Sequence, residues 1–353
     1  MTGPAARRLA RRTSALALAG AAATVTLHGL PASASSLALD GVPHIMQTAH
    51  QAHAGTAAPS SAVPLTYQTA NGPVESPPVV YLVFWGAQWQ VGWTDVSNPG
   101  TTYTSNQTMS YLTGFFNYIG STATSWAGSQ TQYCSGVAVG TVNCGSAGTH
   151  VGNPPTFGGT WVDTTSTPPP PVVPDNCAVA VCLNPTGTAI DQANFMAQEA
   201  LNAEKHFGYS PNADYMIMLP KATATPGFGY YCAYHGEAID SSGNKIAFTN
   251  MPYDLDANTL CGENFVNASD NAFGNGYMDG YSIVAGHEFA EAATDALPST
   301  NTAWLDANGQ ETGDKCAWIT PGTPGGAHNI GPDASGHVYA VQTLWSNTAN
   351  GCV

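Results

Sequence analysis

The sequence predicts an α/β or α+β fold, a single layered domain in which buried strands alternate with amphipathic helices. Three observations carry that expectation. Residues 79–86, VVYLVFWG, form a continuous apolar run closed by glycine, the mark of a strand covered on both faces. Residues 105–119 and 188–206 repeat apolar side chains at helical spacing. Residues 215–220, YMIMLP, read as a second buried strand.

Taken in order, residues 1–34 read as a secretory signal peptide. Arg7, Arg8, Arg11 and Arg12 give a basic start, 15–30 an apolar middle, and Ala32-Ser33-Ala34 a small-residue cleavage site. The Arg11-Arg12 pair is a weak hint of twin-arginine export. Residues 35–78, rich in Ala, Ser, Pro and Thr with His44, His50 and His53, read as a flexible linker or pro-segment. The globular domain is expected over 79–353. In the first helix Ser105 or Asn106 is the expected cap, Met109, Leu112, Phe115, Phe116 and Ile119 make the stripe, and Gly120 stops it. Residues 121–186, rich in Gly, Thr and Ser around PPPPVVP, read as an irregular, disulfide-rich insertion. The second helix opens on Thr188-x-x-Asp191, repeats Ile190, Ala193, Ala197 and Leu201, and meets Gly208. Residues 254–280 are a long Asn, Asp and Gly loop without EF-hand spacing, so turn chemistry is the reading. Residues 338–346 read as a final strand.

Charge narrows the possible partners. All 23 acidic residues lie after position 34, against Lys205, Lys221, Lys245 and Lys315 and no arginine, a net charge of −19 for residues 35–353. Such a surface repels nucleic acid and anionic membranes. No apolar run after the signal approaches a membrane span, so a secreted, extracellular protein is expected. Eight cysteines in an exported chain imply four disulfides, with 134–144 and 177–182 the expected pairs in the first half.

The chemistry concentrates at residues 281–295, YSIVAGHEFAEAATD. They contain HExxE, one letter from the HExxH helix of zincins, in which two His one turn apart hold zinc and the Glu between them is the base. At about 100° per residue, His287, Glu291 and Asp295 share roughly one quadrant of a helix. Ile283, Val284 and Ala290 flank it, so the quadrant faces inward, where charges need a cation or hydrogen bonds. Further ligands are sought in Asp295, Glu311, Asp314 and His235; Glu311 and Asp314 also suit turn formation. A set of one or two His with carboxylates suits zinc best, whereas an all-oxygen set points to calcium.

In their order, Tyr81-Leu-Val-Phe-Trp-Gly86, Tyr231-Cys-Ala-Tyr-His-Gly236, Met251-Pro-Tyr253, Cys261, Gly286-His-Glu-Phe-Ala-Glu-Ala-Ala-Thr-Asp295, Trp304 and Glu311-Thr-Gly-Asp-Lys-Cys316 resemble the EXORDIUM-like, phosphate-induced protein family of plant cell walls and secreted bacterial proteins. The resemblance implies secretion, a role at or outside the wall, and His287, Glu288 and Glu291 as shared positions. It implies no defined reaction, and residues 121–186 are unlike the plant members.

The expectation is therefore a secreted zincin-like metallohydrolase acting on a protein, peptide or cell-wall polymer. Glu288 is the expected catalytic base, and the metal ligands come from His287, Glu291, Asp295, Asp314 and His235. The rival is a non-catalytic wall-associated binding protein in which the same residues hold a structural ion or a polar network.

Overall fold

The computed structural model describes residues 44–48, 62–97, 100–168, 188–223 and 228–353. Six segments build its main sheet: β1 (His44–Gln47), β2 (Val79–Trp85), β3 (Thr156–Asp163), β4 (Ala213–Met218), β5 (Tyr231–Ile239) and β6 (Lys245–Met251). Their spatial order is β1-β5-β6-β4-β2-β3. β3, β2, β4 and β6 run parallel, while β5 is antiparallel to both β6 and β1.

Side-chain alternation then decides what covers each face. Val80, Leu82 and Phe84 of β2, with Met216 and Met218 of β4, pack with α1 (Ser105–Ser121) and α3 (Asp279–Thr294). Val83, Trp85, Tyr215 and Ile217 point the other way, onto Met196, Ala197, Ala200 and Leu201 of α2 (Thr188–Phe207). The result is the expected layered α/β domain, with helices on both faces of a mixed sheet.

Three expectations change. Thr104 rather than Ser105 or Asn106 caps α1, in a reciprocal capping box with Gln107. The insertion expected over 121–186 contains β3, a strand of the main sheet. As an edge strand, half exposed and interrupted by Gly158 and Gly159, it lacks the apolar run that marks a central strand. Glycine is required at 158, where a Cβ would sit 2.3 Å from the Tyr81 ring. The stretch read as a linker, 35–78, supplies β1 and a short strand, Thr66–Tyr67, paired with Trp304–Leu305. Met46, Leu65, Tyr67 and Val74 of that stretch are buried.

The disulfides Cys134–Cys144, Cys232–Cys261 and Cys316–Cys352 are formed. The expected 177–182 pair and the signal segment 1–34 lie outside the described residues. Among the described residues, no helix is long and apolar enough to cross a membrane.

Candidate metal centre

Helix α3 carries HExxE through the interior, and every residue from Asp279 to Thr294 is buried. Its first turn is tied down by Asp279, whose carboxylate accepts hydrogen bonds from the backbone N–H of Val266, Asn267 and Gly276. That one acid organises much of the Asn/Asp/Gly-rich loop before the helix, the turn chemistry expected of it. Further along, Gly286 lies against Trp126 and Phe115, so the helix is covered opposite the sheet as well.

Two other segments meet the motif. His235 comes from β5, three residues after Cys232, whose disulfide to Cys261 fixes that strand end. Glu311 and Asp314 come from the turn that ends at Cys316, pinned by the Cys316–Cys352 bond. Closing loops of 29 and 36 residues is worth about 4 kcal/mol each on the chain-entropy reckoning. Both flanking segments are thus held in place by covalent staples close to their acidic or imidazole side chains.

The distances define one cluster. His287 Nε2 lies 3.1 Å from Glu291 Oε1 and 3.8 Å from Asp314 Oδ1. His235 Nδ1 lies 3.3 Å from Glu288 Oε2 and 3.6 Å from Glu291 Oε2, and its Nε2 lies 3.5 Å from Glu311 Oε1. All of these side chains are fully buried except Asp314, whose side chain is 23% exposed. Two three-residue sets, His287 with Glu288 and Glu291, and His235 with Glu291 and Glu311, each bring their ligand atoms within 4.8 Å of one another.

Gln342 fixes the orientation of His287. Its amide nitrogen donates to Gly313 O at 2.8 Å, so its Oε1 is left to accept from His287 Nδ1 at 3.2 Å. A proton on Nδ1 leaves Nε2 as the coordinating nitrogen, the arrangement that second-shell partners impose on metal-ligating histidines. Glu288 Oε1 and Glu291 Oε2 carry no hydrogen bond among the described residues, and His287 Nε2 meets only carboxylates, Glu291 at 3.1 Å and Asp314 at 3.8 Å. Fully buried polar atoms without hydrogen bonds fit an ion that takes them as ligands. Glycine is obligatory at 313, because a Cβ there would stand 2.7 Å from His287 Nδ1 and 2.9 Å from Glu291 Oε1. The backbone passes that close in order to donate Asp314 N–H to Glu291 Oε1 at 2.9 Å.

Electrostatics follow from the crowding. Burial alone would lower the His287 imidazole, but the Glu291 carboxylate beside it carries it up to about 10. His235 is likewise lowered by burial and driven well above its ordinary value by Glu311, Glu288 and Glu291. Burial raises Glu288 against the pull of both imidazoles, and burial followed by Glu291 raises Asp314. The acid excess extends outward: Glu75 and Asp254 are pushed well up by burial, and Asp214 up to about 7.

Of the residues expected at the site, His235, His287, Glu288, Glu291 and Asp314 are brought together. Asp295 is placed elsewhere in the fold's logic. It follows the last turn of α3 and its Oδ1 accepts from Ala303 N–H at 2.7 Å, holding the chain that leads to Trp304, and it belongs to neither ligand set. Glu311, which suited both ligation and turn formation, is fully buried against His235. Gln342 had no signal in the sequence; it sits on a terminal segment 55 residues from the histidine it orients.

No family model, no curated protein and no solved structure matches this chain. The cluster has the donor set of a metal centre, and its reading rests on the geometry described above.

Proposed function

We propose that this chain is an exported, metal-dependent hydrolase of zincin-like type, acting as a peptidase. His287 and Glu291 are its principal metal ligands, His235, Glu311 and Asp314 supply the remainder, and Glu288 is the base. The observation that carries this reading is the Nε2 of His287, turned by Gln342 onto Glu291 Oε1 at 3.1 Å on a helix with no solvent face. Two histidines among carboxylates favour zinc over calcium, whose ligands are oxygens.

An ion in this place would supply Lewis acidity toward a carbonyl and a water acidic enough to react near neutral pH. Glu288 Oε1 carries no hydrogen bond, so it is available to take a proton, while its Oε2 faces His235 Nδ1. His235 then steadies the carboxylate and is in turn flanked by Glu311. Export is supported by the signal-like residues 1–34, by the three disulfides and by the resemblance to EXORDIUM-like proteins. A peptide or a cell-wall polymer is the proposed substrate, and the acidic surface disfavours nucleic acid and membrane.

One observation favours a second reading. His235, His287, Glu288, Glu291 and Glu311 are entirely shielded from solvent, as suits a structural ion in a non-catalytic wall-binding protein. Glu288→Gln separates the two. The hydrolase requires the variant to keep its metal and its melting temperature while turnover of a peptide library drops at least about a hundredfold, the scale of a lost general base. Undiminished turnover in that variant refutes the role of Glu288. Absence of turnover in the metal-loaded wild type, with retention on insoluble wall glycans, establishes the second reading.

A further inference from the structure

We propose that the buried cluster holds two divalent first-row ions bridged by Glu291, one on His287 beside Glu288 and the other on His235 and Glu311. This rests on the metal reading above but not on hydrolysis.

Three observations converge on two ions. The first is the sharing of Glu291 between the two ligand sets. Its oxygens divide between them: Oε1 faces His287 Nε2 at 3.1 Å, and Oε2 faces His235 Nδ1 at 3.6 Å. A carboxylate whose two oxygens serve different partners is the usual bridge between ions about 3.5–4 Å apart. Glu291 Oε2 is fully buried and carries no hydrogen bond; the group facing it is the His235 imidazole.

The second is charge. As metal ligands both histidines would be neutral, and Glu288, Glu291, Glu311 and Asp314 would together bring four negative charges when ionised. Two divalent ions would balance those four charges, whereas one would leave an excess that a protonated His235 offsets only in part. Uncompensated buried charge is the most costly feature a fold can keep. The chain offers little else as counter-charge, since no arginine follows residue 12 and four lysines remain. Lys221 pairs with Asp95, Lys245 with Thr300 and Asn301, Lys315 with Asp306, and Lys205 is exposed on α2.

The third is the origin of the ligands. The set around His287 comes from one helix, while the second requires β5 and the turn at 311–314. Those two segments are the ones stapled by Cys232–Cys261 and Cys316–Cys352. A single ion on His287, Glu291 and Asp314 would need the turn but not β5.

Metal content of the purified full chain tests this, after loading with zinc or manganese and exhaustive dialysis. The expected result is two ions per chain in the wild type and one in Glu311→Gln, with manganese giving the broadened, spin-coupled EPR spectrum of a bridged pair. One ion per chain, unchanged by Glu311→Gln, overturns the second site and leaves the single-ion hydrolase standing. Two ions giving only the six-line spectrum of isolated manganese overturn the Glu291 bridge. A chain that binds no metal overturns both this inference and the proposed function. The wild-type stoichiometry and spectrum keep the test decisive even where the variant fails to fold.

Discussion

Replacing Glu291 by Gln turns the charge argument into a measurable change of sign. The amide preserves the shape and can still accept the Asp314 N–H bond, now 2.9 Å from Oε1, but removes one of the negative charges packed around the two histidines. In chelator, four clustered carboxyl groups, three of them fully buried, face at most two imidazolium charges, so losing one acid relieves the crowding of like charge. Stability without metal should therefore stay within about 1 kcal/mol of wild type or rise. With metal the sign reverses. At a free ion concentration a thousand times Kd, binding stabilises the wild type by about 4 kcal/mol. For a domain of this size that is a rise in Tm on the order of 10 °C. The variant should lose most of that rise, because its bridging ligand is neutral. The assay is differential scanning calorimetry of both proteins with EDTA and with zinc at pH 7.5. A drop of more than about 3 kcal/mol for Glu291→Gln in EDTA would refute the reasoning, since it is the penalty for breaking a self-sufficient buried ion pair.

Three further outcomes are expected. Gln342→Ala releases the Nδ1 proton of His287 and should weaken zinc binding about 10–100-fold, the usual effect of losing an outer-shell partner, as measured by competition with a chelating dye. Gly313→Ala drives a methyl group against His287 and Glu291, and should abolish the zinc-induced rise in Tm while far-ultraviolet circular dichroism at 20 °C is retained. Away from the cluster, burial and then the hydrogen-bonded Asp163 carry Glu199 from 4.5 up to about 8. A folded value above the unfolded one means stability that is full below pH 4.5 and is lost as pH rises through 8. Glu199→Gln should thus match wild type at pH 5 and exceed it at pH 9 by on the order of 3 kcal/mol in urea unfolding.

Much of this fold is legible from local pattern. Residues 79–86 and 215–220 announce buried strands, α1 and α2 announce themselves by apolar spacing, and HExxE marks the buried helix on which the candidate site is built. What escapes is whatever depends on a distant partner. β3 is not apolar enough to be recognised alone, because its register is set by seven pairings with β2 and, among the described residues, it is an edge strand of the sheet. β1 hides in a tract of linker composition, yet Met46 is fully buried and Trp318 donates its indole N–H to Gln47 O across 271 residues of sequence. At the centre, the one-turn spacing of His287 and Glu291 is visible by counting. The meeting of Glu311 with His235 requires the path of the whole chain. Asp295 shares a helical quadrant with Glu291 by the same count, but the helix ends there and its carboxylate turns to Ala303.

A helix buried all round has no surface on which charged residues serve solubility, so each polar side chain of α3 must be met from within. Ser282 is met by Tyr111 and Ala340 O, Thr294 by the helix's own carbonyls, Asp279 by loop amides and Asp295 by Ala303. Those four are structural, and apolar or turn chemistry explains them. His287, Glu288 and Glu291 are different: beyond Gln342 at His287 Nδ1 and the Asp314 N–H at Glu291, the groups that meet them are one another, His235 and Asp314. Nor does the surrounding shell relieve the excess, since Glu75, Asp214 and Asp254 add further buried carboxyl groups. A sequence selected only for stability would replace such a cluster with apolar side chains of similar volume, at no cost or at a gain. The cluster instead lies at a fully buried point of the fold, braced by two disulfides and a glycine that nothing larger can replace, with donor atoms placed where they could hold a metal ion.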